Sequence, residues 1–204
     1  AHAERLIATL TPFAGEARAR SELECSVDRL LAFAAAADKF EGRVHQPPGN
    51  VVVMALNEAV GVIGQLAPGD WPLLGMVSLL APAIAMGNTV VLKPDPHTPI
   101  TGGYLIARVF EEAGLPKDCL QVLPGGADVG QAMCADPSIA MISFTGSTSA
   151  GRGVGELAGR HLKKVTLELG GKNRLIILDD ADVELAASCA AWGSYLHQGQ
   201  ICMT

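Results

Sequence analysis

Apolar positions along the chain change period as it proceeds, and the changes lay out its elements. Residues 1–20 are Ala-rich and mixed in charge, which reads as a helix weakened by Pro12 and Gly15. Ser21 followed by Glu24 has the form of a capping box, and the Ala/Leu-rich stretch to Phe40 predicts a second helix ending near Gly42. After Pro47-Pro48-Gly49, the runs 51–56 and 60–64 read as two strands around a tight connection. From there helices alternate with strands. Helices are expected at 72–86, 99–114, 128–134, 147–160 and from Asp182 to His197. Strands are expected at 89–93, 120–123, 139–144, 164–168 and 174–178.

Repeated β-α units of this length imply an α/β fold, a Rossmann-like and mostly parallel sheet with helices on both faces. Ligands of such sheets bind at the carboxyl ends of the strands. The run Trp71–Leu92 carries no charge and reaches membrane-spanning length. Pro82 and Gly87-Asn88 divide it, which favours a buried core helix followed by a strand, and no membrane association is expected. The divisions expected are a helical segment at 1–49, a domain of β-α units at 50–173 and the start of a further domain at 174–204.

A hydrophobic content of 49% with 18% charge fits a globular interior, and with 4% aromatic residues that interior is built from Ala, Val, Leu and Ile. The net charge of −6, without basic clusters, disfavours nucleic acid as a partner. Cysteines at 25, 119, 134, 189 and 202 form no CxxC pair, a pattern of reduced thiols in the cytoplasm. Cys25, Cys119, Cys134 and Cys189 read as small core residues.

Three strings near the end carry chemistry: Phe144-Thr145-Gly146-Ser147-Thr148, Leu167-Glu168-Leu169-Gly170-Gly171-Lys172-Asn173, and Gly199-Gln200-Ile201-Cys202. Gly146 and Ser147 end a strand and open a helix, which presents free N–H groups to an anion. Glu168 ends a strand just before two glycines that allow a ligand close approach, where a glutamate is usually a solvated charge and partial burial would suit it to general-base work. Cys202 is a thiol beyond a helix. The dinucleotide fingerprint GxGxxG is absent, so an ordinary Rossmann dehydrogenase is not supported.

In this order the strings resemble the aldehyde dehydrogenase superfamily from about Val53 onward, and the separation of Glu168 from Cys202 agrees. The resemblance implies Cys202 as nucleophile, Glu168 as the base that activates water, and NAD or NADP as cofactor. Lys93, in Val-Val-Leu-Lys-Pro, and Gly126, Gly146, Ser147 and Gly170 would hold the cofactor; for Gly125 and Gly126 an ordinary turn is the other reading. The family's ribose-binding glutamate position is Pro96 here, with Asp95 beside it, so the choice between NAD and NADP stays open. The segment around Cys202 resembles bacterial dehydrogenases of aromatic aldehydes such as benzaldehyde and vanillin. His197 reads as structural.

One position departs from the pattern. The family's oxyanion asparagine aligns with Asp70 in Pro68-Gly69-Asp70-Trp71-Pro72, and an ionised carboxylate only accepts hydrogen bonds. That string resembles the non-catalytic second module of two-module members, so two expectations stand: oxidation of a small-molecule aldehyde to the acid, or a silent module with a structural or cofactor-binding role. A CoA-acylating enzyme is a third option, against which Glu168 speaks. The resemblance further implies a homo-oligomer and a longer reading frame.

Overall fold

The computed structural model describes residues 2–202. Helices α1 (Ala3–Ala14) and α2 (Glu16–Ala36) are separated at Gly15, whose φ of 77° is costly for other residues. A short antiparallel ribbon joins β1 (Arg43–His45) to β2 (Val53–Ala55). The main body follows as β3 (Val62–Leu66), α3 (Leu74–Ala85), β4 (Thr89–Lys93), a π-helical turn (Ile100–Leu105) running into α4 (Ile106–Glu112), β5 (Leu120–Val122), α5 (Ala127–Ala135), β6 (Met141–Gly146), α6 (Thr148–Arg160) and β7 (Lys164–Leu169). Helix α7 (Val183–Tyr195) leads into a 3-10 turn (Leu196–Gly199).

The five strands β3 to β7 form one parallel sheet in the order β5-β4-β3-β6-β7. The chain adds β4 and β5 on one side of β3, then crosses to add β6 and β7 on the other. Loops leaving β3 and β6 therefore diverge, and a crevice opens between them at the carboxyl ends of the strands.

Helix α3 is apolar around most of its circumference because it is packed on nearly every side. Met76, Val77 and Leu80 are fully buried against β4 residues Val90 and Leu92 and against α1 and α2. The break expected at Gly87-Asn88 is there, and Asn88 binds across it. Its Oδ1 accepts from the N–H groups of Val60 (2.7 Å) and Gly61 (3.1 Å), and its Nδ2 donates to Ala83 O (3.0 Å). Among the described residues no helix is long and apolar enough to cross a membrane.

Four expectations are corrected. The second helix begins right after Gly15, so Ser21 and Glu24 lie exposed inside α2 and form no capping box. The strands at 51–56 and 60–64 do not pair with each other; β2 pairs with β1, which the apolar pattern did not reveal, and β3 joins the parallel sheet. Residues 174–178 form no strand: they pair with neither edge strand of the sheet, β5 or β7, and lie exposed. Cys25 and Cys189 are exposed rather than in the core, although Cys134 is buried.

An unforeseen contact anchors the loop after β3. The Glu22 carboxylate, buried on α2, accepts from the N–H groups of Leu73 (2.8 Å) and Leu74 (3.1 Å) and so caps α3 from a neighbouring helix. Burial holds its carboxyl above the usual value, opposed by those two backbone donors and by Arg18. A raised carboxyl contributes stability that is complete below the unfolded value, about 4.3, and is lost as pH rises through the folded value. Glu22→Gln, which keeps an acceptor without the charge, is expected to gain stability over wild type as pH rises through that window. Glu22→Ala is expected to lose about 1–3 kcal/mol at every pH by stranding two N–H groups. Thermal melts of the three proteins across pH check both; an amide variant that falls as far as the alanine variant would contradict the effect assigned to burial.

Candidate active site

Each of the divergent loops brings one wall of a cleft of about 930 Å³, a size suited to a small-molecule ligand. Asp70, Lys93, Gly126, Gly146, Ser147, Glu168, Gly170 and Cys202, named on separate strings of the sequence, all line it. The topology brings them together because β3, β4, β6 and β7 end on the same side of a parallel sheet.

The β6–α6 corner is built for an anion. Ser147 is extended and caps α6, its Oγ accepting from Ala150 N (3.2 Å). Gly151 N bonds to Ser147 O, which leaves the Thr148 and Ser149 N–H groups at the helix mouth without helical partners. The Phe144 ring lies on Gly146, where a β-carbon would come within 2.6 Å of Cζ. Across the cleft Lys93 is nearly buried at the end of β4. Its Nζ donates to Gly125 O (3.0 Å) and Pro94 O (3.3 Å), which leaves one of its three donors available. A cation and a helix mouth lining one cleft could together hold the negative charge of a dinucleotide.

Two strings remote in sequence are bolted together at the other end. Asn173 Nδ2 donates to the backbone carbonyl of Cys202 (2.7 Å). A β-carbon on Gly171 would lie 2.7 Å from that same oxygen, so glycine is what allows the cysteine segment to approach. Here the second glycine serves the protein's own chain rather than a ligand, and the asparagine was not singled out at all; its place three residues past Gly170 was the available signal. Glu168 and Cys202 are both exposed in the cleft.

Asp70 follows β3 in the loop that Glu22 anchors. Its Oδ1 accepts from Trp71 N (3.1 Å), and its backbone carbonyl accepts from Arg18 (3.5 Å). Arg18 lies over the Trp71 ring at 4.3 Å and bonds to the imidazole of His197, which packs edge-on to Trp71 at 6.1 Å. Burial and the Arg18 guanidinium both lower the pKa of His197, so His197 is a neutral packing group, as expected. Cys134, at the floor of the cleft, is fully buried, and burial pushes its thiol up, away from reactivity.

A model described as "Aldehyde dehydrogenase family" matches residues 1–204. The chain is 62% identical over 151 residues to vanillin dehydrogenase of Amycolatopsis sp., covering 74% of this chain and 31% of that protein. It is 60% identical over 144 residues to benzaldehyde dehydrogenase [NAD(+)] of Pseudomonas putida, covering 71% and 30%. Among solved structures, an NAD-dependent benzaldehyde dehydrogenase from Corynebacterium glutamicum superposes with a TM-score of 0.89 at 38% identity, over 100% of this chain and 45% of that one. An NAD-dependent aldehyde dehydrogenase from Sinorhizobium meliloti gives 0.92 at 37%, over 98% and 41%. The chain thus spans about a third of the length of the curated relatives it matches.

Removing the Asn173 bond tests the coupling of the two strings. Asn173→Ala is expected to speed amide hydrogen exchange in residues 197–202 by about 2- to 10-fold, the worth of one hydrogen bond. Unchanged exchange would show that the cysteine segment is held elsewhere.

Proposed function

The chain belongs to the aldehyde dehydrogenase family, and from that premise we propose that it oxidises an aromatic aldehyde to the carboxylic acid, with Cys202 as nucleophile and Glu168 as general base. The observation that carries this reading is the single cleft that holds an exposed thiol, an exposed carboxylate and a helix mouth facing a lysine. Similarity to vanillin and benzaldehyde dehydrogenases supports an aromatic substrate.

NAD(P)+, when bound, supplies the two-electron acceptor. Lys93 and the Gly146-Ser147 corner orient it, with Gly126 and Gly170 giving it room. The Cys202 thiolate adds to the aldehyde carbon, and after oxidation the acyl group remains on sulfur as a thioester. Glu168 takes a proton from water, the resulting hydroxide adds to the acyl carbon and expels the Cys202 thiolate, and the carboxylic acid leaves. A carboxylate open to solvent is in place to meet that water.

A second reading is favoured by Asp70. By its string Asp70 takes the position of the family's oxyanion asparagine, an ionised carboxylate only accepts hydrogen bonds, and loss of such a donor commonly costs about 10²–10³ in rate. On this reading the chain is a silent module that binds cofactor or supports assembly. The division at 1–49, 50–173 and 174–204 belongs to both readings. So does a homo-oligomeric state, supported by the apolar residues Val44 and Met54 exposed on the β1–β2 ribbon. A cytoplasmic location is supported by five free thiols.

Aldehyde-dependent NADH or NADPH formation by the protein carrying this chain, with benzaldehyde as substrate, separates the two. The enzyme reading expects turnover that Cys202→Ala abolishes and Glu168→Gln slows by about 10²–10⁴. It also expects Asp70→Asn to raise kcat. Silence in the parent and in Asp70→Asn, with cofactor still bound, would assign the silent module.

A further inference from the structure

The segment that carries Cys202 is reached through a turn that His197 and Gln198 do not favour on their own. Both take left-handed backbone conformations, with φ of 49° and 55°, ahead of Gly199 at 73°. Residues with a β-carbon keep that conformation only where their surroundings enforce it. Gln200 N donates to His197 O (3.0 Å) and closes the turn, so where His197 is fixed, Gln200, the buried Ile201 and Cys202 follow.

What fixes His197 comes from helix α2, which contributes no residue to the lining of the cleft. Arg18 lies one turn before Glu22, so the two point the same way, toward the loop after β3. Glu22 binds the start of α3, and Arg18 reaches the residues just before it. Its Nη2 makes a long bond to the Asp70 carbonyl (3.5 Å) and a second bond to His197 Nε2. A guanidinium has no lone pair to accept with, so the imidazole nitrogen is the acceptor. The guanidinium also lies over the Trp71 ring at 4.3 Å, and that ring meets His197 edge-on at 6.1 Å.

Arg18, Trp71 and His197 are all half-buried, and none of them lines the cleft. A molecule bound there touches none of the three, so their effect on the chemistry passes through the backbone they hold. That backbone is on the cleft: Asp70 on one side, Gly199 to Cys202 on the other. Arginine suits the bridge where lysine does not. Its planar fork lies flat on an indole and still donates in its own plane to two acceptors, whereas an ammonium is a compact point charge. Asn173 holds the same segment at its other end, at the Cys202 carbonyl (2.7 Å).

We infer that Arg18 is a positioning residue for the Cys202 thiol, acting through His197: by bridging that imidazole and the Asp70 carbonyl, it sets how the cysteine segment stands against the loop after β3. This role rests on the reading of Cys202 as nucleophile.

Steady-state kinetics of the protein carrying this chain, with benzaldehyde and NAD+, test the role. Arg18→Gln is expected to lower kcat by about 10- to 100-fold, the scale of a misplaced reacting group. NAD+ binding should be unchanged, because Arg18 touches neither Lys93 nor the mouth of α6. Arg18→Lys is expected to fall nearly as far, since it keeps the charge and loses the fork. The decisive comparison is a double-mutant cycle: in the His197→Ala background, Arg18→Gln should lower kcat no further. Amide hydrogen exchange separates this from unfolding, with residues 197–202 of Arg18→Gln expected to exchange about tenfold faster while the β3–β6 pairing stays protected. An unchanged kcat in Arg18→Gln, independent effects of Arg18→Gln and His197→Ala, or a loss of protection across the whole sheet would overturn the positioning role and leave the assignment of Cys202 standing. Turnover retained by Cys202→Ala, or absent from wild type, would overturn both together.

Discussion

Everything at the site depends on one constraint, the pairing of β3 with β6 in the middle of a parallel sheet. Because strands on its two sides are added in opposite directions, the loops after β3 and β6 separate and leave a crevice that no side chain fills. Parallel pairing also puts the ends of β4 and β7 on the same side, so Lys93 and Glu168 reach the crevice by position alone. The pairing is secured by burial: Ile63, Val90, Leu92 and Ile142 are nearly inaccessible. Gly64, opposite Ile142, leaves room for Met133 of α5 and for Ile139.

Two further contacts convert a crevice into a candidate active site. Glu22 fixes the start of α3 and hence the loop bearing Asp70, which ties the N-terminal helices to the chemistry through one buried carboxylate. Asn173 and Gly171 hold the Cys202 carbonyl, which ties the end of β7, where Glu168 lies, to the segment carrying the Cys202 thiol. Neither pair of partners is close in sequence. Both work by satisfying backbone groups that would otherwise be stranded at a helix start or in an irregular segment.

The parallel body of the fold was legible, and so was a set of residues that line one cleft, because their signals are local. Strand Thr89–Lys93 is a run of β-branched and apolar residues, and Ser147 is a helix cap directly after a glycine. What escaped was set by tertiary partners. The β1 strand is three residues long and wholly exposed, without an apolar stripe to betray it. Residues 174–178 had the stripe and yet pair with neither open edge of the sheet. Ser21 and Glu24 had the spacing of a cap, but Gly15 had already started the helix. Glu22 looked like one more charge on a mixed helix, and only the packed structure shows two N–H groups waiting for it.

Of the five cysteines, Cys202 is the one assigned the covalent bond to substrate, and the rest of the proposed chemistry stands on that assignment. The direct measurement is acid quenching of the protein shortly after mixing with benzaldehyde and NAD+, with peptide mapping by mass spectrometry. The predicted result is a benzoyl group on the peptide containing Cys202 and on no other cysteine. Acylation of Cys134 or Cys189 instead, or product formed with no acyl group on any thiol, would contradict it.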